Sequence, residues 1–178
     1  MADDEHREAA SGVDSTEEPA VAEKSPAEIR TAVMNSAVRL LARREHSRTE
    51  LRNKLLLRGQ PIGIIDSVID QLAEQGLQSD ERFAESYTRM RIRRGYGSNK
   101  IRVELQARDV ARDIIEKSFA ETDECWIENA THVLAKKFLR NKSFDSSLRA
   151  LAKMQRFLWS RGYNSEQVKI AIERLREQ

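Results

Sequence analysis

The sequence predicts an all-α fold: a tandem array of three three-helix repeats, about nine helices in all, elongated and preceded by a disordered acidic leader. Three observations carry this. First, one helical pattern is written three times. Leu51, Leu55, Arg58, Gly59, Ile65 and Ile69 recur at an offset of 50 as Ile101, Leu105, Arg108, Asp109, Ile115 and Phe119. A further offset of 53 gives Met154, Leu158, Arg161, Gly162, Val168 and Ile172. Self-similarity at this period marks stacked supersecondary units, each burying its apolar face partly against a neighbour. Second, helix-start signals recur ahead of the apolar stripes. Third, no stretch alternates in the manner of a strand between turn residues.

The elements follow in order. Residues 1–28 hold nine acids against Arg7 and Lys24, a net charge of −7, so the remainder of this +2 chain carries +9. From Met1 to about Lys24 only Val13 and Val21 are larger apolar anchors after the first residue. Such a segment cannot repay the entropy of ordering, and 1–24 is read as a disordered acidic leader in front of a basic body. Order is expected to begin at Ser25-Pro26-Ala27-Glu28, a capping box with proline at the first helical position. Ile29, Val33, Ala37, Leu40 and Leu41 then share a face to about Arg44. A second capping box, Ser47-Arg48-Thr49-Glu50, starts the helix of Leu51 and Leu55. Gly59 and Pro61 punctuate the turn. Ile62, Ile65, Val68, Ile69 and Leu72 make a third amphipathic helix closed by Gly76. Repeat 1 is thus placed at 25–77.

Repeat 2, at 78–121, opens at Ser79-Asp80-Glu81, with acids where the helix dipole favours them. Phe83, Tyr87 and Met90 form its first stripe, and Gly95-Tyr96-Gly97 breaks that helix. Ile101 and Leu105, then Ile114, Ile115 and Phe119, mark the next two. Repeat 3, at 122–178, is expected to have helices over 123–140 and 145–160, and a last one after the capping box Asn164-Ser165-Glu166-Gln167. With 6% aromatic residues, no single large hydrophobic centre is expected. Arg58, Arg108 and Arg161 each follow a core leucine by three residues, where a cation stabilises a helix C-terminus by roughly 0.3–1 kcal/mol. Capping alone accounts for their recurrence.

Histidine and cysteine are few and scattered along the chain. Cys125 is the single cysteine, which excludes an internal disulfide framework and a cysteine-rich zinc site and fits a reducing cytoplasm. His46 and His132 are isolated from any metal-ligand spacing. Gly95-Tyr96-Gly97 lacks the third glycine, the lysine and the preceding strand of a phosphate loop. Carboxylates such as Glu81 and Glu85 read as solvated helix-face residues, and no carboxylate cluster suggests a metal-dependent nuclease. No catalytic residue, metal or cofactor is expected. No run approaches the roughly 18 apolar residues of a membrane span. Asp3, Asp4 and Glu5 stand where a secretory signal would need positive charge. A cytoplasmic monomer without membrane contact is expected.

Basic charge remains. Between Arg89 and Arg108 there are seven cations and one acid, Glu104, with Tyr96 offering a ring that could stack. Arg43, Arg44 and Arg48 belong to a second set in repeat 1, and Lys136, Lys137, Arg140, Lys142, Arg149, Lys153 and Arg156 make a third. Such surfaces suit phosphate backbones or an acidic protein groove. The candidate partner-binding residues are Arg43, Arg44, Arg48, Arg89, Arg91, Arg93, Arg94, Tyr96, Lys100 and Arg102. Charge reversal at Arg89, Arg91, Arg93 and Arg94 is expected to weaken function without unfolding the protein.

The run from Ala37 to Leu51, Lys54-Leu55 and Gly59 resembles the opening signature of the RecX family, regulators of the RecA recombinase. Asp80, Arg82, Phe83, Ala84, Tyr87, Arg91, Gly95, Gly97, Ile101 through Glu104 and Leu105 are similar to its second signature. The third repeat extends the match more weakly. Two features depart from the pattern: the leader is longer than the family core needs, and Asp109 stands where a glycine usually closes the helix, so a different turn is expected there. The resemblance implies a non-enzymatic modulator that binds RecA filaments on single-stranded DNA and depresses ATP hydrolysis, filament growth and strand exchange, with weak direct DNA binding possible besides. The alternative is a sequence-tolerant DNA-binding module acting without RecA. A helix-turn-helix regulator is disfavoured, because no recognition helix is identifiable.

Overall fold

The structure is a computed structural model and describes residues 25–120, 126–139 and 144–177. The acidic leader expected at 1–24 lies outside the described residues. Among these there are nine α-helices and no strand. The first three are α1 (Pro26–Leu41), α2 (Arg48–Leu57) and α3 (Ile62–Glu74). They are followed by α4 (Asp80–Arg93), α5 (Ser98–Gln106) and α6 (Arg112–Ala120), then α7 (Trp126–Phe138), α8 (Leu148–Ser160) and α9 (Ser165–Arg176). They pack as three three-helix modules: α1–α3, α4–α6 and α7–α9.

Local signals set most boundaries. Ser25 Oγ accepts from Glu28 N while the Glu28 carboxylate accepts from Ser25 N at 2.8 Å, so the first capping box is complete. Asn164 and Gln167 close the box at α9 in the same way. The box at α2 is only half formed. Ser47 Oγ accepts from Glu50 N at 3.1 Å, but the Glu50 carboxylate turns away to Arg44 and His46. The helix expected over 145–160 begins three residues late, because Ser147 caps it by accepting from Ala150 N.

The repeated turn is the same in all three modules. Gln60 N bonds Leu55 O, Val110 N bonds Leu105 O and Tyr163 N bonds Leu158 O, the long-range bond of a Schellman C-cap. The residue before each donor is left-handed: Gly59 at φ 70°, Asp109 at 56° and Gly162 at 89°. The turn at Asp109 therefore does not differ, contrary to expectation; aspartate is among the few side chains that tolerate this region. The three recurrent arginines do differ. The Arg108 guanidinium caps its own helix at Glu104 O, whereas Arg58 reaches Ser36 in α1. Arg161 crosses to the carbonyls of Arg94 (2.8 Å) and Gly95 (3.1 Å). Capping alone does not account for the recurrence.

The modules are not equally joined. Val33, Ala37, Leu51, Leu55, Ile65, Val68, Ile69 and Leu72 form a core confined to module 1. Modules 2 and 3 share one continuous core that includes Phe83, Ile101, Leu105, Ile115, Phe119, Trp126, Leu134, Leu158 and Leu175. Against the expectation from aromatic content, a large centre exists. Each fully buried aliphatic side chain contributes roughly 1.5–3 kcal/mol relative to exposure. Module 1 meets module 2 through polar groups instead. Arg48 N donates to Asp80 Oδ1 (2.8 Å), Gln78 Nε2 to His46 O (3.3 Å) and Arg82 Nε to Glu45 Oε1 (2.9 Å).

One joint is nevertheless used twice. Ser47 Oγ, at the start of α2, donates to Arg108 O at 3.2 Å, and Gly97 N, at the start of α5, donates to Arg161 O at 2.8 Å. Asn99 N adds a bond to Gly162 O at 3.1 Å. The approach at the second joint is so close that a β-carbon on Gly97 would lie 2.5 Å from the Gly162 carbonyl. Glycine is required there for space, not for its backbone angles.

Candidate partner-binding surface

Basic side chains on α4 set the site, because α4 ends against α7 and α8. Arg93 is exposed near its last turn and Arg94 is its C-cap. Both line a groove of about 410 Å³ together with Lys136 and Lys137 of α7 and Arg161 after α8. Val133 and Phe157 supply its apolar wall, and Asn129 and His132 its remaining polar rim. No carboxylate is among its described lining, so five cations face one concavity. Asn129 Nδ2 donates to Ile92 O at 2.8 Å and ties α7 to the end of α4, which fixes the groove's width. Lys137 Nζ lies 4.0 Å from the centre of the Phe157 ring, with the Arg161 guanidinium carbon 4.9 Å from the same ring. These cation–π contacts hold the charges in place without neutralising them.

The ten residues singled out by sequence divide by their partners. Arg91 is not a surface group, so charge reversal that includes it does not leave the fold untouched, contrary to the expectation from sequence. Its side chain is 13% exposed, hydrogen-bonds Glu104 and stacks 3.6 Å above Tyr96. Glu104 also accepts from Tyr87 Oη at 3.0 Å. Burial, and then that hydrogen bond, pushes the Tyr87 phenol above its ordinary pKa. Tyr96 has Arg91 over its ring and Arg161 at 5.1 Å, so the expected stacking platform is already occupied by cations.

Three other candidates are held in ion pairs. Arg44 grips Glu50 through both terminal nitrogens at 2.8 and 2.9 Å. Arg48 meets Asp70 at 2.7 Å, and Arg102 meets Glu116 at 2.8 and 3.1 Å while lying over Phe119. Hydrogen bonding to these carboxylates raises the Arg44 and Arg102 pKa values, so both cations are fixed. Arg89 has only a long contact of 3.9 Å to Glu85. Arg43, Arg93, Arg94 and Lys100 are exposed and form no ion pair among the described residues. Of the ten, Arg93 and Arg94 line the groove and the other eight do not. Lys136, Lys137 and Arg161, which sequence reasoning left out of its candidates, do.

Among the described residues, no group of three or more His, Cys, Asp or Glu could hold a metal ion. His46 is buried, with Nδ1 2.9 Å from Glu50 Oε2. Burial holds its pKa below the ordinary value, against the opposing pull of Glu50. No helix is long and apolar enough to cross a membrane.

Comparison with known proteins places this geometry. Residues 34–72, 79–118 and 123–172 match, in order, the models of the first, second and third three-helix domains of RecX. Regulatory protein RecX of Chromohalobacter salexigens is 44% identical over 138 residues, 78% of this chain and 89% of that relative. Its counterpart in Pseudomonas entomophila is 41% identical over 137 residues, 77% of this chain and 87% of that protein. The crystal structure of RecX from Lactobacillus salivarius superposes with a TM-score of 0.72 at 24% identity, covering 85% of this chain and 99% of that one. With three domain models matched in sequence and relatives above 40% identity over most of both chains, the chain belongs to the RecX family of regulatory proteins.

Proposed function

We propose that this protein regulates the RecA recombinase by binding its filament on single-stranded DNA and depressing ATP hydrolysis, filament extension and strand exchange. The RecA link comes from the family resemblance. The observation that carries the reading to this surface is the groove between α4, α7 and α8, where Arg93, Arg94, Lys136, Lys137 and Arg161 converge with no carboxylate among them. With helix axes about 8–10 Å apart, a three-helix module is roughly 20 Å wide, and three in a row span about 60 Å. That length reaches across several protomers of a filament. A ligand bound across protomers favours one filament geometry over others, and inhibition then follows from its differential affinity for the two states. In this reading the protein acts as a cytoplasmic monomer, without a cofactor.

A second reading is a DNA-binding module that works without RecA. It is supported by the occupied ring faces of Tyr96 and Phe157, which leave charge, not stacking surface, to meet a ligand. Such a module binds phosphates with little regard to sequence and with steep salt dependence. The test is single-stranded-DNA-dependent ATP hydrolysis by the cognate RecA, titrated with this protein while DNA is in excess, with binding to bare DNA measured alongside. Suppression well below one copy per RecA supports filament regulation. Unchanged hydrolysis despite tight, salt-sensitive DNA binding selects the second reading. A variant carrying Arg93→Glu, Arg94→Glu, Lys136→Glu and Lys137→Glu should stay folded and lose the effect, because none of the four is in an ion pair among the described residues.

A further inference from the structure

Residues 1–24 precede the first family-matched domain, which begins at residue 34. They carry Asp3, Asp4, Glu5, Glu8, Asp14, Glu17, Glu18 and Glu23 against Arg7 and Lys24, a net charge of −6. Most other acids near the arginines are committed. Glu50 serves Arg44 and His46, Asp70 serves Arg48, Glu104 serves Arg91 and Glu116 serves Arg102. The groove between α4, α7 and α8 has no such partner among its described lining residues. We infer that this groove is the docking site of the chain's own acidic segment, residues 1–24, which competes there with an anionic partner.

Charge and tether length both support this occupant. Five cations, two of them held against the Phe157 ring, face a segment with eight carboxylates and no Phe, Tyr or Trp. The Phe157 ring in the groove carries Lys137 and Arg161 against it, so the groove asks for anionic groups and not for a stacking partner. A flexible chain of 24 residues would have a root-mean-square span of about 27 Å and a fully extended reach of about 80 Å. It reaches across a chain of this size and supplies its carboxylates at an effective concentration on the order of millimolar. At that concentration even a weak contact is populated. If four molecules in five are closed, the apparent affinity of an external anion at the groove falls about fivefold.

The contact can be read directly on the full-length protein. A nitroxide is placed at Ser11→Cys in a Cys125→Ser background, and amide signals are followed by NMR. Closure predicts selective broadening of Arg93, Arg94, Val133, Lys136 and Lys137, abolished in 1 M NaCl, where the Debye length is about 3 Å. Lys136→Glu with Lys137→Glu should abolish it as well. Absent broadening, broadening spread evenly over α2 and α9, or broadening that appears only between spin-labelled and isotope-labelled copies in a mixture would each overturn the inference.

The regulatory consequence rests on the proposed function, and a second measurement separates the two. The variant Asp14→Asn, Glu17→Gln, Glu18→Gln, Glu23→Gln should suppress RecA ATP hydrolysis at about one-fifth of the wild-type concentration. If neither protein alters hydrolysis but the broadening stands, the RecA reading fails and the contact survives. If both suppress hydrolysis equally, the segment does not gate the groove.

Discussion

Replacing Gly97 by alanine should break the seam between modules 2 and 3 while leaving module 1 folded. Gly97 has φ −85°, a conformation alanine adopts freely, so the penalty is steric alone. The new β-carbon would lie 2.5 Å from both the carbonyl carbon and the oxygen of Gly162 and 2.6 Å from Tyr163 N. Ordinary contact begins near 3.4 Å, so two main chains must separate by about 1 Å. The hydrogen bonds Gly97 N to Arg161 O and Asn99 N to Gly162 O, at 2.8 and 3.1 Å, would then pass out of range. At about 1 kcal/mol each, with overpacking of about 1–3 kcal/mol that partly overlaps them, the loss is about 2–4 kcal/mol. Urea denaturation reads it cleanly, because both tryptophans, Trp126 and Trp159, lie in module 3 and their fluorescence follows that core. Amide exchange at Leu51 and Ile65 follows module 1. The control is Gly63→Ala, in α3 with open space around the added carbon, which should gain about 0.5–1 kcal/mol. A Gly97→Ala protein within about 0.5 kcal/mol of wild type would refute the close-approach argument.

Arg91→Glu should destabilise the fold by about 3–5 kcal/mol in thermal or urea unfolding, since it leaves Glu104 facing a like charge in a nearly buried site. Arg93→Glu and Arg94→Glu should each stay within about 0.5 kcal/mol of wild type. Asp109→Gly should add about 0.5–1 kcal/mol by removing the cost of a left-handed φ of 56°, visible as a higher melting temperature. Acid should loosen the joint of module 1. Burial works to raise the Glu50 pKa, but hydrogen bonds from Arg44 and His46 win and hold it at about 2, down from 4.5. Burial likewise keeps His46 below 6.5. Both groups take protons more readily in the unfolded chain. Their contribution is therefore complete above those unfolded values and is lost as pH falls, first below 6.5 for His46 and then from 4.5 toward 2 for Glu50. Glu50→Gln should flatten the lower of the two losses, worth about 2 kcal/mol after allowance for the partly exposed carboxylate.

What the sequence shows of the fold is what local chemistry decides. Ser25 with Glu28 and Asn164 with Gln167 cap where their spacing says they should, and the spacing of Leu55, Leu105 and Leu158 from the next turn fixes three C-termini. The site was less legible because it depends on pairs far apart in the chain. Nothing near Arg91 in sequence reveals that Glu104, thirteen residues on, will claim it, or that Tyr96 will lie beneath it. Glu50 looked like half of a capping box because Arg44 and His46 converge on it only once α1 ends and α2 begins. The groove joins Arg94 of module 2 to Lys137 and Arg161 of module 3, 43 and 67 residues further along the chain. Gly95-Tyr96-Gly97 reads as a helix break in the sequence and is one, but its second glycine is also the seat of the next module.

The seam at Gly97 is written mostly in main-chain atoms: an amide of Gly97 to the carbonyl of Arg161, and an amide of Asn99 to the carbonyl of Gly162. Exposed side chains on either side of it can therefore drift without altering the angle at which one module follows another, provided the shared core and Arg161 are kept and glycine stays where the backbones touch. The first joint uses a serine hydroxyl at the matching place, and its remaining contacts are side-chain polar bonds, so its angle is tied to the identities of Asp80, Gln78 and Arg82. Mutational change should thus fall unevenly on descendants of this chain. The last two modules can acquire new surfaces while keeping their spacing, whereas the first can change its attitude to them through single substitutions at its joint.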